Sequence, residues 1–122
     1  MEVSLQAYLK GSAEAVEFYK KAFDAELGYN VKSTDNTYMH AEIKKGEQHI
    51  ISLSEFDDFQ SQSISGNTMQ FCINFGTEKS VKKAYEILIE GGKINIPLGP
   101  CPWNTCIADV TDKFGVRWYI AI

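Results

Sequence analysis

From Val3 to Leu9 apolar positions alternate with polar or aromatic ones, the two-residue period of a strand with one buried face. Gly11-Ser12 then opens a helix: Ser12 can cap it, and Glu14 suits the positive end of its dipole. Ala15, Val16, Tyr19, Ala22 and Phe23 recur at helical spacing and give one apolar stripe ending at Phe23. Three strands are predicted next, over Glu26 to Lys32, Thr37 to Lys45 and Gln48 to Ser54. Thr34-Asp35-Asn36 and Lys45-Gly46-Glu47 supply the turn chemistry between them.

A polar connector from Ser54 to Asn67 interrupts this pattern, after which the same order returns. Thr68 to Phe75 alternates as a strand, and Glu78 to Glu90 is a helix with Val81, Ala84, Tyr85 and Leu88 on one face. Gly91-Gly92 ends that helix, because glycine tolerates the left-handed turn that follows one. Lys93 to Leu98, Asn104 to Thr111 and Val116 to Ile122 complete the set as strands, punctuated by Gly99, Pro100, Pro102 and Asp112 to Gly115. The chain therefore reads as βαβββ twice: module 1 over 1–55, a linker over 56–67 and module 2 over 68–122. Ala41-Glu42-Ile43 and Ala108-Asp109-Val110 echo one another in the two third strands. Each half alone is small for a good core. The expectation is an α+β fold, one domain in which the two modules form a curved mixed-sheet cup with the helices on its outer face.

Strand parity then predicts which side chains face the cup. Val3, Leu5, Ala7 and Leu9 go toward the helix, leaving Ser4, Gln6 and Tyr8 opposite. Met39, Ala41 and Ile43 leave Tyr38, His40 and Glu42 opposite, and Met69, Phe71, Ile73 and Phe75 leave Gln70, Cys72 and Asn74. Trp118, Ile120 and Ile122 leave Arg117 and Tyr119. A plain solvated sheet face is the simple alternative. Three tyrosines, a cysteine and a histidine favour a partly sheltered pocket instead.

Composition narrows the partners. The 122 residues carry 16 acidic and 12 basic side chains, a net charge of −4, with 44% apolar and 23% charged residues, an ordinary globular balance. No lysine or arginine run exceeds two, which disfavours a nucleic-acid surface. No apolar run approaches the ~20 residues of a membrane helix. The opening residues lack the basic-then-apolar order of a secretory signal, so a soluble, cytoplasmic protein is expected. Cys72, Cys101 and Cys106 make a poor disulfide framework, and they match neither a redox CxxC nor a zinc knuckle.

Tyr8-Leu9 followed by Gly11 to Tyr19, Met39 to Ile43 before a glycine turn, Pro102-Trp103, and Asp112 to Trp118 together resemble the PhnB-like branch of the vicinal-oxygen-chelate superfamily, which holds glyoxalases, bleomycin resistance proteins and dioxygenases. The resemblance spans essentially the whole chain. It implies paired βαβββ modules assembled as a homodimer. In metal-dependent members it implies four sheet-borne His, Gln or Glu ligands to a divalent ion that acts as a Lewis acid. Carried over by position, these ligands fall near Gln6, near Ile50 or Ser52, at Gln70 and at Tyr119. Two amides and a phenol suit a hard ion poorly, so no metal or other cofactor is expected. A demethylubiquinone methyltransferase activity, also associated with the group, would need a glycine-rich strand-to-helix loop for a nucleoside cofactor, and there is none. A phosphonate-binding role would want an arginine cluster, and Arg117 is the only arginine.

The residues that could carry chemistry are His40 and Glu42, two apart on one strand face and able to act as an acid–base pair. His49 falls on the opposite parity from Ile50 and Ser52 and receives no role. Cys72 reads as an inert pocket thiol rather than a nucleophile. Tyr8, Tyr38 and Trp103 could stack on a flat ligand or simply pack. The expected pocket is Gln6, Tyr8, Tyr38, His40, Gln70, Cys72, Trp103 and Tyr119, and Gln6 and Gln70 are taken to occupy equivalent places. The favoured reading is a dimeric, metal-free cup for a small apolar or aromatic molecule. The alternatives are a lyase- or isomerase-type enzyme with a degenerate metal site using His40, Glu42 and Tyr119, and a purely structural dimer.

Overall fold

The computed structural model describes residues 1–56 and 68–122; the predicted connector falls, from residue 57 onward, outside them. Two compact units, Met1–Ser63 and Ile64–Ile122, divide the chain and are called modules 1 and 2. Module 1 runs β1 (Gln6–Leu9), α1 (Ser12–Phe23), β2 (Glu26–Lys32), β3 (Tyr38–Lys45) and β4 (Gln48–Glu55). Module 2 runs β5 (Phe71–Asn74), α2 (Glu78–Leu88), β6 (Lys93–Cys101), β7 (Asn104–Thr111) and β8 (Arg117–Ala121). The sheets have the same order, β1-β4-β3-β2 and β5-β8-β7-β6, with first and last strands parallel and the other pairs antiparallel. This is the predicted α+β architecture of repeated βαβββ units. Among the described residues no helix is long and apolar enough to cross a membrane.

In each module the helix covers one face of its own sheet. Ala15, Val16, Tyr19, Ala22 and Phe23 of α1 are buried with Leu9, Ala41, Ile43, Ile51 and Leu53. Tyr19 and Phe23 stack with ring centroids 5.8 Å apart. In module 2, Val81, Ala84 and Leu88 are buried with Val110, Trp118 and Ile120. Trp118 lies 5.1 Å from the Phe71 ring, and its indole N–H donates to Asp112 Oδ2 at 2.8 Å. Asp112 Oδ1 meanwhile accepts from the amides of Phe114 and Val116, so one buried carboxylate holds both the turn and the largest core side chain.

Several local expectations are corrected. Ser12 is not the N-cap of α1; Gly11 is, at φ 81°, and the helix end is capped from afar by Glu55. The Ser12 hydroxyl instead accepts from the Tyr38 amide and donates to Glu55. β1 begins only at Gln6, so Val3 and Leu5 are exposed rather than packed, and Met69 likewise precedes β5 and is exposed. β6 continues past Leu98 through Gly99 and Pro100, because it is an edge strand where a proline's missing N–H breaks no inner ladder. Of the two glycines after α2, Gly91 takes the left-handed turn at φ 70°. Gly92 is required for another reason: a Cβ there would stand 2.5 Å from the Thr111 carbonyl oxygen.

Module 1 has three register shifts, and the two that fall in β3 and β4 rearrange its faces. His40 opposes Val31 but Tyr38 opposes Lys32, so Met39 is an extra residue in β3. Tyr38 therefore leaves the His40 face and is buried beside the start of α1, while Met39 is exposed instead of packed. In β4, Ile51 opposes Ile43 and His49 opposes Lys44, leaving Ile50 as the extra residue.

Adjacent residues of β8 should behave oppositely. Trp118→Ala is expected to cost about 3–5 kcal/mol as a large-to-small core change. Tyr119→Ala, on the uncovered face, should cost within about 1 kcal/mol. Urea unfolding of both variants checks this, and reversed costs would mean the strand is turned over.

Candidate functional site

The face of each sheet away from its helix carries the candidate chemistry. In module 1, the register places Gln6, Ser52 and Glu42 side by side across β1, β4 and β3. The Ile50 bulge turns His49 onto this face, where its Nε2 lies 2.9 Å from the Ser52 hydroxyl. From the other side His40 Nε2 reaches Glu42 Oε2 at 2.8 Å, and the Tyr29 ring stands 6.0 Å from the imidazole. Both imidazoles thus lean toward the Glu42–Ser52 row. Gln6 Nε2 donates to Ser54 Oγ at 2.7 Å. Tyr8 is exposed at the far end of β1.

Module 2 repeats the arrangement with different side chains. Cys72, Tyr119 and Asp109 form the corresponding row across β5, β8 and β7. Asp109 is only 3% exposed and gathers four donors. Arg117 reaches it through Nε at 3.0 Å and Nη2 at 2.7 Å, Asn95 Nδ2 at 3.0 Å and Gln70 Nε2 at 3.4 Å. The hydrogen bonds from Arg117 hold the Asp109 carboxyl below its ordinary pKa; burial opposes this, and Asn95 assists. Tyr119 accepts at its hydroxyl from the indole N–H of Trp103 at 3.1 Å, and Trp103 sits exposed in the tight turn between β6 and β7.

Of the predicted pocket residues, Gln6, Tyr8 and His40 share module 1 and Gln70, Cys72, Trp103 and Tyr119 share module 2, while Tyr38 has left the open face. Gln70 is not the counterpart of Gln6. Cys72 is: each lies six residues ahead of its helix and directly beside the last strand, at Ser52 and Tyr119 respectively. Two residues were missed. His49 could not be placed because a bulge is invisible to strict alternation. Asp109 had a signal, since its Ala-Asp-Val echo of Ala41-Glu42-Ile43 marks the two carboxylates as equivalent. Of the cysteines, Cys106 is buried, and that burial raises its thiol pKa, while Cys72 is exposed on edge strand β5.

Residues 5–120 match the model of the Glyoxalase/Bleomycin resistance protein/Dioxygenase superfamily. No curated protein matches the chain. Among solved structures, a PhnB protein from Bacillus cereus superposes with a TM-score of 0.83 at 22% identity, covering 99% of this chain and 98% of that one. A fosfomycin resistance protein from Listeria monocytogenes, solved with Mn(II) and 1S,2S-dihydroxypropylphosphonic acid, gives 0.71 at 12% identity, covering 99% and 90%. A glyoxalase/bleomycin resistance protein/dioxygenase family enzyme from Burkholderia phytofirmans PsJN gives 0.71 at 13%, covering 96% and 94%. At these identities the likeness is one of fold.

Because the folded Asp109 pKa is depressed, its contribution to stability is full above the unfolded value near ~4 and fades as pH falls through the folded value. Asp109→Asn should therefore cost about 1–2 kcal/mol at pH 7. The gap from wild type should shrink on acidification, followed by urea unfolding at neutral and acid pH. A gap that stayed constant would contradict the carboxylate's role.

Proposed function

We propose that this chain, which belongs to the glyoxalase/bleomycin resistance protein/dioxygenase superfamily, binds a small apolar or aromatic molecule as a homodimer and without a metal. The observation that carries this reading is that the polar groups of both open faces are spent on one another. Gln6 donates to Ser54, His40 pairs with Glu42, His49 with Ser52, Tyr119 with Trp103, and Asp109 with Arg117, Asn95 and Gln70. No buried side-chain nitrogen or oxygen among the described residues lacks a partner. Such faces offer a preorganised wall with aromatic groups rather than donors waiting for an ion.

The donor chemistry agrees. The positions that the resemblance marks, corrected for register, hold Gln6, Ser52, Cys72 and Tyr119, with Gln70 engaged by Asp109. Module 1 thus offers an amide and a hydroxyl and module 2 a thiol and a phenol, and neither pair fits a hard divalent ion, which asks for carboxylates or imidazoles. No group of three His, Cys, Asp or Glu among the described residues is arranged to hold one. Dimerisation is supported by the sheet edges: Tyr29 and Val31 on β2, and Ile94 and Ile96 on β6, are exposed on strands with an unpaired side.

One observation favours a second reading, an acid–base enzyme of lyase or isomerase type. The 2.8 Å His40–Glu42 contact orients an imidazole as a general base requires, and His49 supplies another on the same face. Stoichiometric metal in the purified protein would favour this reading over simple binding.

Zinc, nickel or manganese should change thermal stability little. A stabilisation of about 3–4 kcal/mol, which a metal gives at roughly a hundred to a thousand times its dissociation constant, would overturn the metal-free claim if it vanished in Gln6→Ala and Tyr119→Phe. Light scattering at micromolar concentration should return twice the mass of the chain. A single-chain mass persisting at high concentration would remove the dimer.

A further inference from the structure

Module 1 also contains a cleft of about 640 Å³ at one end of its sheet, within the size range of small-molecule sites. It opens where the parallel strands β1 and β4 end and α1 begins, the place where ligands gather in sheets with a helical crossover. We propose that this cleft seats a flat, uncharged aromatic molecule bearing a carbonyl or hydroxyl group. The inference rests on the ligand-binding reading above and goes beyond it by naming the seat and the ligand's chemistry.

The walls supply the aromatic preference. Tyr8, Tyr38, Met39 and Phe56 line the cleft, and Tyr8 and Met39 are 57% and 62% exposed. Two large apolar side chains standing in water beside one cavity are a surface that a flat ring can cover, and a thioether packs well on an aromatic face. The β3 bulge at Met39 creates this wall, since strict alternation would have put that side chain under the helix.

Charge excludes an anion. A helix N-terminus ordinarily invites one, but the protein's own carboxylate has taken the place. Glu55 Oε2 accepts from the Gly11 amide at 3.0 Å, and Oε1 from the Ser12 amide at 2.8 Å and the Ser12 hydroxyl at 2.7 Å. Burial works against this carboxylate, yet the Ser12 and Gly11 donors prevail and keep its pKa below the ordinary value. Asp35 on the rim is likewise held by the Thr37 amide and hydroxyl. The lining then sets two carboxylates against the ammonium of Lys10, which lies over the Phe56 ring at 5.7 Å. Lys32, over Tyr38 at 5.3 Å, similarly occupies an aromatic face with an internal cation, so a cationic ligand gains little there. The polar handle is Ser54, which lines the cleft: its oxygen accepts from Gln6, and the hydroxyl keeps one proton to donate to a ligand oxygen.

The test uses 2-naphthol as the neutral probe and 2-naphthalenesulfonate as its anionic counterpart, titrated calorimetrically into the full chain. Naphthol should bind, the sulfonate at least about tenfold more weakly, and Tyr8→Ala and Met39→Ala should each weaken naphthol about tenfold. Naphthol binding lost in Tyr119→Ala but kept in Tyr8→Ala and Met39→Ala would overturn the cleft while sparing the ligand-binding reading. Equal affinity for the two probes would overturn the assigned charge. Absence of naphthol binding at millimolar concentration would overturn the cleft proposal as a whole. The broader reading would fall only if a thermal-shift screen of chemically varied apolar and aromatic compounds also found nothing.

Discussion

Each module is closed by its first strand lying parallel to its last, Gln6 against Ser52 in one and Cys72 against Tyr119 in the other. Parallel neighbours cannot be joined by a tight turn; the chain must cross over, and here the crossover includes a helix. That helix has to rest on one face of the sheet, so in the strands beneath it one parity packs against the helix and the other faces away from it. Leu9, Ile43 and Leu53, and Val110, Trp118 and Ile120, are on the covered side. The side chains with candidate chemistry are on the other. Fold and site are two consequences of one pairing.

Most of the fold was therefore legible from alternation and helical spacing, including both helices, the order of elements and the opposed faces of Trp118 and Tyr119. What was not legible is where alternation breaks. An extra residue at Met39 and another at Ile50 reverse the local parity. Tyr38 leaves the open face and His49 joins it. Bulges depend on how neighbouring strands twist against each other, and composition leaves little trace of them. The capping of α1 was hidden for a different reason. Glu55 lies 43 residues from Ser12 in sequence, so no local motif announces it. The pairing of first and last strands was equally hidden from local pattern: the register makes Cys72, not Gln70, the counterpart of Gln6.

On the uncovered faces the same solution is reached twice with different chemistry. Glu42 and Asp109 occupy equivalent positions, each beside the last strand of its module and each with a nitrogen partner, His40 in one case and Arg117 in the other. Asp109, buried in the protein, has to find donors, and it has found them inside the chain.

The claim that these groups are closed upon one another can be read directly from the two histidines, the only ones in the chain. Two-bond proton–nitrogen NMR spectra resolve both imidazoles and report the state of each ring nitrogen. The account predicts that Nε2 of His40 and of His49 are hydrogen-bonded in the free protein, and that several equivalents of zinc leave the ring-nitrogen shifts in place. Displacement of either imidazole's nitrogen shifts at stoichiometric zinc would contradict it.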